Sequence, residues 1–265
     1  MIKMYSMQKI ISFLFVLFVL LSGSISCKKE KDPSPDMGYN YFPNQVGKYV
    51  IYDVDSFYYN DFNVPLTIDT FKFQLKEKIQ STYLDNQNRT TLRLERYVRY
   101  YNPLVPYSSL PWVLRDVWAA NRTATTAEKV EENVRYIKLA FAVKQEQTWD
   151  GNAQNTIGGL TYSYQFINQA RTIGGTAFDS VLQVNQQEES SIIHQKYYIE
   201  KYAKRTGLVY RQVIDIESQP NPDWYNTTLY PFGSDSLAAF FGDSILDRVT
   251  SGVQYTYIYN SSGTE

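Results

Sequence analysis

The constraint that most narrows the fold is a residue period of two, repeated in segment after segment. In VGKYVIYDVDSFYY, Val50, Tyr52, Val54 and Ser56 alternate with Ile51, Asp53, Asp55 and Phe57. In IDTFKFQLKEKIQ, Phe71, Phe73, Leu75 and Glu77 alternate with Lys72, Gln74, Lys76 and Lys78. In TTLRLERYVRYY, Leu92, Leu94, Val98 and Tyr100 share a face that Arg96 interrupts, and Arg93, Glu95, Tyr97 and Arg99 make the other. Successive side chains of a strand point to opposite faces, so this pattern predicts half-buried β-strands. Turn clusters such as LDNQNRT and YNPLVPYSS separate the runs.

Further strands are predicted at 111–120, 134–143, 160–168, 179–187, 192–202, 208–218 and 252–259, where Val, Ile, Thr, Tyr and Phe dominate most runs. Residues 124–133 fit two helical turns capped by Thr126 or a strand, and are assigned to a strand. The better helix candidate is SDSLAAFFGDSIL, residues 234–246, with Ser234 or Asp235 as N-cap and Gly242 as stop. There is no internal repeat of 20–50 residues. The expected fold class is all-β and mainly antiparallel. It is one curved-sheet domain over residues 40–260, barrel-like or a sandwich, with at most one or two short helices and a tail at 261–265. Both faces of TTLRLERYVRYY carry Arg, unlike the apolar outer band of a membrane barrel.

The first 26 residues have a different composition. Met1 to Lys9 is basic, Ile10 to Leu21 is apolar except for Ser12, and Ser22, Gly23, Ser24 and Ser26 are small. That is the layout of a secretory signal. The apolar run falls short of the ~20 residues a spanning helix needs. The single cysteine, Cys27, follows at once, so the chain forms no internal disulfide. Residues 20–27 resemble a bacterial lipoprotein signal, with Ser26 and Cys27 matching its cleavage box and Ser24 standing where Leu is usual. The resemblance implies an acylated Cys27 as lipid attachment site and the membrane as partner. Two or more acyl chains anchor a protein stably where one does not. KKEKDPSPDM, charged and proline-bearing, reads as part of a solvated tether over 27–39.

Three pieces carry a wider resemblance: NYFPNQVGKYVIYDVDS, IKLAFAVKQEQTWDGNAQN, and KYAKRTGLVYRQVIDIES with LDRVTSGVQYTYIYN at the end. They are similar to a group of uncharacterised Bacteroidetes cell-envelope lipoproteins. That implies an exported, lipid-anchored β domain, at the outer membrane with its face left open, and it implies no reaction. Locally, Pro43 and Gly47 set a turn into the first strand, with Tyr41 and Phe42 packing beneath it. Asp150-Gly151 reads as a hairpin turn, Trp149 before it as a core anchor at one end, and Gly207 as a turn before Leu208.

Little else suggests chemistry. The net charge of −1 argues against nucleic acid as partner. His194 is the only histidine, so neither a metal nor a catalytic triad is expected. No phosphate loop or nucleophile elbow occurs, and no cofactor is expected. Asp53 and Asp55 resemble a cation loop only loosely. Asp179-Ser180-Val181, Asp235-Ser236-Leu237 and Asp243-Ser244-Ile245 resemble a Bacteroidetes O-glycosylation pattern. Aromatics make up 16% of the chain, and Trp112, Trp118, Trp224, Tyr225 and Tyr230 are candidates for stacking on sugars. The leading reading is a non-catalytic envelope module, structural or binding an unidentified ligand, with a glycan or an envelope protein as possible partner. The alternatives are a surface glycan binder and a carboxylate-dependent glycoside hydrolase; the shape and lining of a pocket discriminate among them.

Overall fold

The computed structural model describes residues 35–60, 62, 67–218, 245–247 and 249–265. Twelve strands form one sheet: β1 Lys48–Asn60, β2 Thr67–Leu84, β3 Thr90–Tyr100, β4 Val113–Arg122, β5 Thr126–Glu131, β6 Val134–Ala140, β7 Thr148–Asp150, β8 Thr161–Ile173, β9 Thr176–Ser190, β10 His194–Ala203, β11 Gly207–Glu217 and β12 Ser251–Thr264. Their spatial order is β6-β5-β4-β3-β2-β1-β12-β11-β10-β9-β8-β7. Each strand pairs antiparallel with its chain neighbours except β6 with β7, and β12 returns to pair with β1, Lys48 opposite Thr264. The result is an up-and-down, nearly closed barrel. Of the two expected architectures, the barrel is the one formed. Curling the sheet brings its two edges, β6 and β7, together and so protects them.

Alternation decides which side chains fill the barrel. Val50, Tyr52, Val54, Phe73, Leu75, Leu92, Leu94 and Val98 are all buried. Segment 124–133 does contain a strand, β5. Asp53, Asp55, Lys72, Arg93 and Glu95 stand on the opposite faces of β1, β2 and β3, so the outer wall there is not a lipid-facing apolar band. Among the described residues no helix is long and apolar enough to cross a membrane. The helix expected over 234–246 lies outside the described residues except for Ile245 and Leu246, which belong to a 3₁₀ turn, Ile245–Asp247.

One end of the barrel is filled. A 3₁₀ turn at Tyr39–Tyr41 enters it. Tyr41 is 1% exposed, and its hydroxyl bonds Asn168 Oδ1 at 2.8 Å and Ser180 Oγ at 2.9 Å. Arg122 Nη1 donates to the carbonyls of Tyr39 (3.3 Å) and Phe42 (3.1 Å). Two boundaries drawn from the sequence move. Asp36–Tyr39, expected in the tether, is docked: Lys204 Nζ lies 2.7 Å from Asp36 Oδ2, and Val143 N donates to Met37 O. Residues 261–265, expected as a tail, continue β12, and Glu265 pairs with Lys76 and Lys78. The polar residues 261–264 pair with the backbone of β1 and Glu265 with the lysines of β2, so low hydropathy did not mean a free end.

The seam between β6 and β7 has one backbone bond, Ile137 N to Gly151 O at 2.8 Å. Side chains complete it. Trp149 Nε1 donates to Ile137 O at 2.9 Å, Asn155 Nδ2 to Arg135 O at 2.9 Å, and Tyr164 OH accepts from Ala140 N and donates to Ala140 O. Exposed edge groups of β6 thus find partners without a long facing strand. Trp149 packs against Tyr164 with ring centroids 4.5 Å apart. Half-buried, it belongs to the seam and packs against the same cluster as Tyr39 and Phe42 at the plugged end. Asp150-Gly151 is not a two-residue hairpin turn: the connection runs from 151 to 160, and Gly151 has no positive φ. Gly151 is needed because a Cβ there would sit 2.4 Å from the ring of Tyr162. Asp150 Oδ1 accepts from the N–H groups of Asn152 and Leu160, which closes the loop.

Trp149→Ala removes both the packing and the bond across the seam, and is expected to lower stability by about 3 kcal/mol. Trp149→Phe keeps most of the packing and loses the N–H donor, for about 1 kcal/mol. Denaturant unfolding of the two variants against the wild type measures both. Equal midpoints for all three would show that the seam does not depend on Trp149.

Candidate functional site

Halfway along the barrel the apolar filling gives way to charge. Register explains how. Glu77 of β2 stands opposite Arg96 of β3, and Arg96 opposite Asp116 of β4. Glu200 of β10 stands opposite Arg211 of β11. Arg96 is the residue that interrupts an apolar face in the sequence, and it is 2% exposed. Its Nη1 reaches both oxygens of Asp116, at 2.9 and 3.0 Å, and its guanidinium lies 3.5 Å from the ring centroid of Trp118. Lys129 Nζ contacts both oxygens of Glu77 at 2.7 Å. Lys138, on β6, reaches Glu131 and, across the lumen, Glu200, each at 3.0 Å. Arg211 Nη1 lies 3.2 Å from Glu131, and Tyr202 OH donates to Glu200 at 2.6 Å. Four cations therefore face four carboxylates inside the barrel.

The protonation of this layer follows from burial and mutual attraction. Burial pushes the Glu131 carboxyl up, but Arg211, Lys138 and Lys129 outweigh that and hold it well below the usual range. Glu200 is likewise pushed up by burial and brought down further by Lys138 and Arg211. Burial works against the charge on Lys138, yet Glu131 and Glu200 raise its pKa above the ordinary lysine value. Burial moves the Tyr162 hydroxyl up to about 12, so it stays neutral.

This layer divides the interior into two spaces. On the filled side is a small void of about 60 Å³ bordered by Glu77, Lys129, Glu200 and Tyr202. On the other side the barrel opens into a cavity of about 510 Å³. Arg96, Glu131 and Arg211 line it from the charged layer, Tyr255, Tyr257 and Tyr136 stand along its walls, and Phe71, Tyr100, Arg115 and Glu132 are among its other residues. Its size is within the range of small-molecule sites. The strand alternation held the signal for its walls: Tyr255, Tyr257 and Tyr259 have the same period in the sequence as Val50, Tyr52 and Val54. What joins them to Arg96, Glu131 and Arg211 is pairing between distant strands, which no local pattern encodes.

The residues singled out from the sequence scatter. Trp118 faces the lumen, but Arg96 covers its ring and its Nε1 donates to Glu132 Oε1 at 3.2 Å. Trp112 lies elsewhere, with the guanidinium of Arg99 at 4.3 Å. The two do not form one sugar platform; Trp224, Tyr225 and Tyr230 lie outside the described residues, as does Cys27. His194 Nδ1 is 2.9 Å from Ser191 Oγ, but that oxygen also accepts from the N–H groups of Ile193 and His194. The pair therefore builds an exposed turn. Asp53 takes hydrogen bonds from Gln74 and Asn260, and Asp55 lies 3.7 Å from Lys72; both are on β1, with no cation loop. No group of three or more metal-ligating side chains occurs among the described residues. Ser180 of the Asp179-Ser180-Val181 motif is in β9, bonded to Tyr41 and Asn168. Asp235-Ser236-Leu237 lies outside the described residues, as do Asp243 and Ser244.

No family model matches the chain, and no curated protein does. Two solved structures are similar. One is a protein inferred to be exported, of YmcC-like fold, from Bacteroides fragilis, with a TM-score of 0.41 and 9% identity over 84% of this chain and 98% of that one. The other is an inferred lipoprotein from Parabacteroides distasonis, with a TM-score of 0.29 and 11% identity over the same shares. Likeness that loose does not extend to chemistry.

The charged layer makes stability depend on pH in a stated direction. Glu131 and Glu200 have folded pKa values below their unfolded ones, near ~4.3 for glutamate. Their contribution is complete above that value and is lost as pH falls through the depressed folded values. Lys138 is shifted upward, so its contribution is complete below ~10.4 and is lost only at higher pH. Stability is expected to hold from about pH 5 to 10 and to decline on acidification below ~4.3. Lys138→Met leaves two buried carboxylates short of a partner and should cost about 3–5 kcal/mol at neutral pH. Urea unfolding at a series of pH values reads both effects. An unchanged midpoint for Lys138→Met would remove the layer from the account of stability.

Proposed function

We propose that the protein is a lipid-anchored envelope module that binds a small ligand in the open mouth of its barrel, without catalysis. The observation that carries the reading is the asymmetry of the interior: one end is plugged by Tyr39–Phe42, and the other is left as a cavity of about 510 Å³ lined by tyrosines and arginines. Empty space of that size inside a barrel forgoes packing that side chains would otherwise supply, and a ligand site is the use that offsets the loss.

The lipid belongs to the same proposal. Ser26 and Cys27 supply the attachment signature, and the chain enters the barrel at its plugged end, through Asp36 and Lys204. An acylated Cys27 would tether the barrel to the bilayer through the segment that precedes Asp36. A glycan is one candidate for the ligand. The glycoside hydrolase reading is weaker, because Glu131 is committed to Lys138 and Arg211, and Glu200 to Lys138 and Tyr202.

Two measurements test this. Mass spectrometry of protein taken from its native membrane should find an acylated N-terminal Cys27, and Cys27→Ala should leave the protein unanchored; an unmodified mature N-terminus elsewhere would reject the anchor. For the mouth, the full chain is incubated with an extract of small molecules and saccharides, and the retained compounds are identified after washing. The wild type should retain compounds that Ser56→Trp, which fills the cavity from β1, does not. Retention of nothing by the wild type would reject the binding site.

A further inference from the structure

The mouth holds an imbalance of hydrogen-bonding groups. Among the described residues Arg115 makes no hydrogen bond; its only charged neighbour is Asp116, with Nε at 3.3 Å from Oδ2. Arg211 donates through Nη1 alone, to Glu131 at 3.2 Å. Arg96 satisfies Nη1 on Asp116, while its Nη2 has only a long contact of 3.5 Å to Tyr257 OH. The hydroxyls of Tyr100, Tyr136 and Tyr255 have no partner among the described residues. Acceptors are scarcer. Glu131 is turned to Lys138 and Arg211, and one oxygen of Glu132 is taken by Trp118 Nε1. Ser56, the second oxygen of Glu132 and the lone pairs of the tyrosine hydroxyls remain, and Glu131 Oε1 meets Lys138 as an ion pair without a hydrogen bond.

From this excess of donors, and resting on the reading of the mouth as a binding site, we infer that its ligand is a ring-bearing organic acid, whose carboxylate faces Arg115, Arg211 and the tyrosine hydroxyls. A neutral sugar hydroxyl can accept from these donors, but each brings a proton of its own that needs an acceptor, and few are available. A carboxylate brings only acceptors, and hydrogen bonds from guanidinium to carboxylate are among the stronger kind. The rings of Phe71, Phe73 and Tyr100 supply flat apolar surface for the body of such a molecule. Asp116, beside Arg96 and Arg115, and Glu132 temper the positive field, so selectivity comes from the arrangement of donors rather than from net charge.

The test uses the full chain in detergent and four probes followed by titration calorimetry: D-glucuronate and benzoate, which combine ring and acid; D-glucose, a neutral ring; and acetate, an acid without a ring. Glucuronate and benzoate should bind at least tenfold more tightly than glucose and acetate. Tyr255→Phe and Arg115→Gln should each weaken binding of the ring acids about tenfold, the worth of one charge-assisted hydrogen bond. Neither side chain supports the fold through a hydrogen bond, so unchanged thermal unfolding of both variants is expected and is measured alongside. Equal affinity for glucose and glucuronate overturns the inference. So does binding of the ring acids that is indifferent to both substitutions, or no binding of any probe. The extract experiment separates this failure from that of the binding site itself: retained compounds that are all neutral refute the acid and keep the site, whereas no retained compound refutes both.

Discussion

The interior ion layer is the feature on which the rest of the barrel depends. Removing four cations and four carboxylates from water is costly, and the cost is offset only when each charge finds close partners. Lys138 is the centre of that arrangement. It sits on β6, an edge of the sheet, and reaches Glu200 on β10 across the lumen. The seam beside it has a single backbone bond, so the cross-lumen pairs and the Trp149 and Tyr164 bonds do what an ordinary strand ladder does elsewhere. Charge is also directional in a way that apolar packing is not. A lysine that must meet both Glu131 and Glu200 admits few relative positions of β5, β6 and β10. The same layer sets where apolar filling stops and the open cavity begins.

How far this was legible in the sequence differs from element to element. β1, β2 and β3 were readable because each buries one face, and period two is visible wherever one face is apolar. Arg96 was visible as an interruption of its face, and that interruption marks the start of the charged layer. Its partners were not visible, since Glu77, Asp116 and Trp118 lie on other strands and only register brings them to it. Lys138 in YIKLAF lies between Ile137 and Leu139, so strict alternation does not place it inward; the bulge in the β5–β6 pairing, between Ala127 and Glu128, alters which side chains turn inward. Asp150-Gly151 misled because the pair is compatible with a tight turn, whereas here glycine is required by the ring of Tyr162. Trp149 was legible as an anchor of the core, but its bond to Ile137 was not, because a seam between two edges exists only once the sheet has closed. The mouth could not be read at all: a cavity is the space left among strands distant in the chain.

The two ends of the barrel show how one strand pattern produces both a plug and an opening. At the plugged end, the short turn at 43–47 joins Tyr39–Phe42 to β1, so aromatic residues from the preceding segment are available to fill the lumen, and Arg122 and Asn168 bind their polar atoms. At the other end the inward positions include Ser56, Tyr100, Tyr136, Tyr255 and Tyr257. Tyrosine has an apolar body that packs along the wall and a hydroxyl that prefers a polar partner, so a ring of tyrosines lines a space without closing it. Aliphatic residues at those positions would favour collapse of the walls or a dry void. Below them, Arg96 and Arg211 keep polar nitrogen atoms at the floor because each is only partly used by its carboxylate partners. The cavity thus follows from the same balance of charge that holds the barrel together: most carboxylate oxygens are drawn into neutralising the interior, and Arg96 and Arg211 keep Nε–H groups unused at its surface.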